Sequence, residues 1–166
     1  MNAENLLELM KSRRSIRSYK PEPVSDSLII QILEAARWCQ SGSNLQPWRF
    51  IVIKNKGLLE NLSKTTSYGK FISSAPIVIA IVANKNTAPK WYIHDSSMAS
   101  HQMCLMISAL GLGTCWIGTM DREQAAILLD LKENEHLTTL LPVGYPTDIP
   151  NPTPRKKLDD LISFIS

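Results

Sequence analysis

The chain has 166 residues, 44% of them hydrophobic and 20% charged, with 7 glycines, 10 prolines and a formal net charge of +3. The apolar fraction excludes a disordered chain, and the glycine and proline counts exclude collagen-like and low-complexity classes. The length suits one domain, residues 1–166, with a core of its own and leaves no room for a second.

In chain order, helical spacing begins at once. Leu6, Leu7, Leu9 and Met10 predict a short amphipathic helix that reaches Lys11, Arg13 and Arg14. This basic cluster follows the apolar residues, the reverse of a secretory signal. Ser25 and Asp26 are N-cap candidates for a helix carrying Leu28, Ile29, Ile32, Leu33, Ala36 and Arg37. Arg49–Lys54 reads as a strand between Pro47 and Gly57, and Leu58, Leu59 and Leu62 mark a third helix. The longest apolar run, Ala75–Ala83, has nine residues. A membrane-spanning helix needs roughly 20, so the run predicts a buried strand at Ile77–Val82 and no membrane association. Asp95 is an N-cap candidate for a long helix through Met98, His101, Leu105 and Ala109, stopped by Gly111 and Gly113. A strand at Thr114–Ile117, a helix at Asp121–Leu131, a strand at Thr138–Gly144 and a terminal helix at Lys157–Ile165 complete the expectation. Between the last two, Tyr145–Pro154 contains four prolines and should run extended over a surface.

Strands mixed with helices, without a regular βαβ alternation, predict an α+β sandwich in which helices flank a central sheet. A dinucleotide fingerprint is absent, because Gly111-Leu112-Gly113 follows a helix and lacks the third glycine. The three cysteines, Cys39, Cys104 and Cys115, are odd in number, far apart and form no CxxC pair. They predict buried thiols in a reducing, cytoplasmic compartment, without a disulfide framework or zinc site. His94 and His101 share a helix face but lack further ligands, so no metal is expected.

Four stretches could carry chemistry. Arg13-Arg14-Ser15-Ile16-Arg17 joins the first helix to an extended segment in which Ser15 and Arg17 share a face. Arginine forks suit phosphate, although the same cluster could be a solvated basic turn. Ser41-Gly42-Ser43-Asn44-Leu45-Gln46-Pro47-Trp48 supplies donors for a flat heterocycle, or is an ordinary helix-to-strand connection. Gly111–Gly118 allows a backbone to approach a planar ligand, or is a capped helix followed by a turn. Pro154-Arg155-Lys156-Lys157 is a late basic knot or a charged tail face. Tyr68, Lys70, Trp91 and Tyr92 read as surface or interface residues that could also border a substrate opening.

In this order and spacing, together with Gly144-Tyr145-Pro146, the four stretches resemble the nitroreductase-like family of flavoproteins over nearly the whole chain. The resemblance implies a mainly antiparallel sheet flanked by helices, bound FMN, and a homodimer with FMN sites at the subunit interface. It implies that Arg13 and Ser15 hold the terminal phosphate with Arg14 beside them, and that Arg155, with Lys157 as second choice, closes over it. Arg17 would lie at the N1/O2 edge of the flavin. Gln40, Ser41, Gly42 and Asn44 would come from the partner subunit, and the backbone at Trp116, Ile117 and Gly118 would face N5. Gln40 stands where the family usually has proline, and Cys39 where it has a small residue.

The implied activity is an FMN-dependent NAD(P)H oxidoreductase. It would pass a hydride through flavin N5 to nitro compounds, quinones or similar acceptors in a ping-pong pattern, with no side chain as acid, base or nucleophile. NADH and NADPH are equally compatible. The competing readings are a flavin-binding redox sensor and a non-catalytic basic module for nucleic acid, the latter without any RNP-like or helix-turn-helix pattern.

Overall fold

The run Ile77–Ala83 is the middle of the sheet, and the fold is organised around it. In a computed structural model, which describes residues 2–165, it belongs to β2 (Ile77–Asn84). β2 pairs antiparallel with β1 (Trp48–Ile53) on one side and β4 (Glu135–Gly144) on the other. The two-residue β3 (Gly113–Thr114) closes the order β1-β2-β4-β3, again antiparallel. Side chains alternate across a strand, so a strand buried on both faces must be apolar at every position. Ile77, Ile79 and Ile81 face one core with Ile29, Ile32, Met103 and Ile107, while Val78, Ala80 and Val82 face the other with Leu59, Leu62, Ala125 and Leu129. That two-sided cover explains the unbroken apolar run in an antiparallel sheet, where one wet face is commoner.

The first core lies under α2 (Asp26–Arg37) and α4 (Tyr92–Ala109), the second under α3 (Lys56–Lys64) and α5 (Arg122–Leu128). Ser25, Asn55 and Asp121 cap α2, α3 and α5 by accepting the backbone N–H of Leu28, Leu58 and Gln124. α4 ends in a Schellman turn: Gly111 takes φ +73, its N–H reaches Ser108 O at 3.1 Å, and Leu112 N–H reaches Ile107 O at 3.0 Å. By contrast α1 (Ala3–Ser12) has no buried residue.

Three sequence expectations are corrected. Asp95 does not cap α4, which starts three residues earlier at Tyr92 behind Trp91; Asp95 is instead buried within the first turn. The strand expected at Thr114–Ile117 shrinks to β3 plus one bridge between Ile117 and Leu140. The terminal helix expected at Lys157–Ile165 is a single 3₁₀ turn at Leu158–Asp160 within a tail, residues 147–165, that is exposed throughout. A nine-residue helix is too short to hold itself without a surface to pack on, and residues 157–165 are exposed throughout.

Candidate functional site

The basic cluster and the glycine turn, nearly a hundred residues apart in sequence, lie side by side. Arg13 is the C-cap of α1, and the chain then runs extended along β3, with Ser15 paired in parallel to Thr114. Ile16 N–H donates to Thr114 O at 2.9 Å. Glycine is required at 113, because a Cβ there would stand 2.6 Å from Ile16 Cγ1 and 2.7 Å from Ile16 Cβ. The buried Tyr19 hydroxyl braces the same segment by donating to Ile16 O at 2.7 Å, and burial pushes its pKa upward.

A cavity of about 290 Å³ opens at this junction, lined by Arg13, Arg14, Cys104, Gly111 and Thr114 among others. Arg14 Nη1 is occupied by the end of α1, donating to Lys11 O at 2.6 Å and Arg13 O at 3.0 Å. Arg14 Nε and Thr114 Oγ1, however, are buried without any hydrogen-bond partner among the described residues. An orphaned buried polar atom costs roughly 1–3 kcal/mol, and both belong to residues that line this arginine-bearing cavity, where a small side-chain shift would let an oxygen-rich anion satisfy them. A phosphate group fits that donor set. Thr114 was not a sequence candidate; only its place directly after the glycine pair hinted at it. Ser15 turns toward the Cys115 thiol, and Arg155 and Lys157 do not line the cavity. Both lie in the exposed tail, where Arg155 Nη1 donates back to Thr153 Oγ1 at 2.5 Å.

A smaller cavity of about 110 Å³ gathers Arg17, Cys115, Trp116, Ile117 and Gly118 beneath Tyr68. Its backbone wall is fixed from behind. Ile117 N–H donates to Leu140 O at 3.2 Å, Thr139 Oγ1 donates to Ile117 O at 3.0 Å, and Arg122 Nη2 donates to Gly118 O at 2.9 Å. The two cavities share the strand pair, because Ser15 and Thr114 separate Arg13 and Arg14 from Arg17 and Cys115. Burial raises all three thiols, Cys104 up to about 11, so none is a ready nucleophile at neutral pH.

The remaining sequence candidates stand elsewhere. Ser41, Gly42 and Asn44 form a turn in which Ser43, Asn44 and Gln46 have φ of 51, 56 and 47°, and they border neither cavity of their own chain. Ser41 Oγ accepts Gln46 N–H at 2.9 Å, and Gly42 N–H donates to Asp95 Oδ1 at 3.2 Å. Gln40 borders a wide apolar groove of about 740 Å³ between α1, α2 and α4, lined by Leu6, Leu9, Met98, His101 and Leu105. Among the described residues, no cluster of three or more His, Cys, Asp or Glu could hold a metal ion. Among them, too, no helix is long and apolar enough to cross a membrane.

Comparison with known proteins places the chain in a family. A protein of Methanothermobacter thermautotrophicus, provisionally named NADH dehydrogenase/NAD(P)H nitroreductase, is 33% identical over 88% of this chain and 80% of its own. The iodotyrosine deiodinase of Thermotoga neapolitana is 28% identical over 92% of this chain and 95% of its own. The solved FMN-dependent nitroreductase of Clostridium difficile superposes with a TM-score of 0.87 at 29% identity, covering 96% of this chain and 99% of that one. The nitroreductase family model matches residues 10–67 and 59–145, and the chain belongs to the nitroreductase family.

Proposed function

We propose that this protein is a single-domain, FMN-dependent NAD(P)H oxidoreductase that works as a homodimer in the cytoplasm. The observation that carries the cofactor is the cavity lined by Arg13, Arg14 and Thr114, the last two each with an unpartnered buried polar atom, beside the Arg17–Gly118 cavity. Arg13, Arg14 and Thr114, which line the first of these cavities, would hold the terminal phosphate; Ser15 would join them by turning from the Cys115 thiol, and Arg155, then Lys157, would reach it when the tail is anchored. FMN, when bound, supplies hydride acceptance from a nicotinamide and electron delivery to a second substrate in the same slot. Arg17, which lines the smaller cavity, would lie at the N1/O2 edge and offset negative charge there by Coulomb attraction. The Trp116–Gly118 backbone would face N5, with the Trp116 and Gly118 N–H groups as its donors because that of Ile117 is held by Leu140 O, and Arg122 and Thr139 keep that wall from shifting. Tyr68, at the rim of that cavity and largely exposed, would border the substrate opening.

The dimer is supported by what one chain leaves uncovered: the apolar groove on α4, the unburied face of α1, and Ile149, Leu161, Ile162 and Phe164 on the tail. A second copy covering these surfaces would bring Gln40, Ser41, Gly42 and Asn44 to the partner's flavin. Acceptors are nitro compounds, quinones or similar oxidants, used in ping-pong order. The test is the absorbance spectrum of the purified protein, followed by steady-state oxidation of NADH and of NADPH with a nitroaromatic acceptor. Parallel double-reciprocal lines are the expected pattern. Protein that stays colourless after FMN addition refutes the assignment.

A further inference from the structure

The turn at residues 41–46 holds three non-glycine residues at positive φ, a conformation that costs free energy at each of them. Such a turn persists only when its surroundings hold it, and the structure has a fixed point for it at the start of α4. Asp95 is 2% exposed, and its Oδ1 accepts the Gly42 N–H at 3.2 Å across 53 residues of sequence. Its other oxygen, Oδ2, has no partner among the described residues. One helical turn earlier, the Trp91 side chain lies close enough to Gly42 that a Cβ there would stand 3.2 Å from Trp91 Cδ1. The two residues are linked along α4, since Asp95 N–H donates to Trp91 O at 2.8 Å.

A buried carboxylate with one idle oxygen is expensive, and the packing of α4 onto the sheet does not require it. Its place in the first turn, at the positive end of the helix dipole, lowers that cost without removing it. We infer that Asp95 is a positioning residue that, with Trp91, clamps the 41–46 turn in the shape that receives the partner subunit's flavin. The inference rests on the flavin reading above. It also assigns the turn's order to α4, so the helix on which the apolar groove lies sets the geometry of the flavin contact. The acceptor atom, not the charge, is what the Gly42 N–H needs.

The test compares Asp95→Ala, Asp95→Asn and Trp91→Ala with the unaltered dimer, by FMN titration followed through quenching of flavin fluorescence and by thermal unfolding of the apoprotein. Asp95→Ala is expected to weaken FMN binding about tenfold, because the freed turn must be ordered on binding. Asp95→Asn keeps an acceptor for Gly42 N–H and is expected to bind FMN within about threefold of the unaltered protein. Trp91 is half exposed, so Trp91→Ala folds and is expected to weaken FMN binding in the same direction; it carries the test if Asp95→Ala does not fold. Unchanged FMN affinity in Asp95→Ala or Trp91→Ala overturns the clamp, as does an Asp95→Asn protein no better than Asp95→Ala. Unaltered protein that takes up no FMN overturns the flavin reading instead, which separates the two failures.

Discussion

Gly113→Ala tests whether the two distant motifs form one site. The added Cβ would lie 2.6–2.7 Å from Cβ, Cγ1 and Cγ2 of Ile16. Carbon atoms rest about 3.5–4.0 Å apart, so one side must retreat by roughly 1 Å. Rotation about χ1 can move the two Cγ atoms but not Cβ, which is fixed to the Ile16 backbone and stands 2.7 Å away, so a rotamer change cannot clear the clash. The extended segment must therefore move away from β3, straining or breaking the Ile16 N–H to Thr114 O bond of 2.9 Å. Overpacking costs about 1–3 kcal/mol and the lost bond about 0.5–1.5, so a total near 2–4 kcal/mol is expected. The same movement carries Arg13, Arg14 and Thr114 apart at the phosphate cavity. Urea unfolding of the apoprotein should show the stability loss at constant m-value, and FMN titration should show affinity reduced by at least tenfold. A variant within about 0.5 kcal/mol of the unaltered protein that binds FMN equally well refutes the reasoning.

Thr114→Val removes an orphaned hydroxyl while keeping its volume, so the apoprotein should be no less stable, or stabilised by up to about 1 kcal/mol, while FMN binding weakens; parallel chemical unfolding and flavin titration check the opposite signs. Arg49 pairs with Glu135 at 2.5 Å across the sheet and holds the Glu135 carboxyl at about 2, below its usual 4.5. A depressed folded-state pKa stabilises above the unfolded value and is lost as pH falls, so Glu135→Gln should cost about 1 kcal/mol at pH 7 and progressively less from about pH 4.5 toward 2, read from unfolding midpoints across that range. Cys39, Cys104 and Cys115 are all buried with raised pKa values and should resist a thiol-specific reagent at pH 7 in the folded protein, then react together in denaturant.

The elements legible in sequence were those whose local and tertiary demands coincide. Ser25 caps α2 because the hydroxyl, the helix start and the apolar stripe agree, and β2 announces itself because both faces are covered. The glycine turn was legible as a turn, and its Schellman bonds follow from Gly111 alone. Its pairing with Arg13–Arg17 depends on a contact at Ile16 that no local pattern encodes. Asp95 was misread for a related reason. An aspartate near a helix start resembles a cap, and only the tertiary approach of Gly42 makes it a buried acceptor. The tail failed in the opposite direction, since Leu158, Leu161, Ile162 and Ile165 carry helical spacing without a surface of their own chain to bury it. Arg155 and Lys157 lie on that tail, away from the phosphate cavity, and their role follows the tail's.

α1 and the tail share one property: neither contributes a residue to the core of its own chain. In the proposed homodimer their order would be governed by mass action and not by folding alone. On dilution the sheet and its two cores should persist while both ends loosen, so amide protection in α1 should rise with protein concentration and that in β2 should not. Since Arg13 is the last link of α1, the grip on a phosphate would become a function of how many copies of the chain are present.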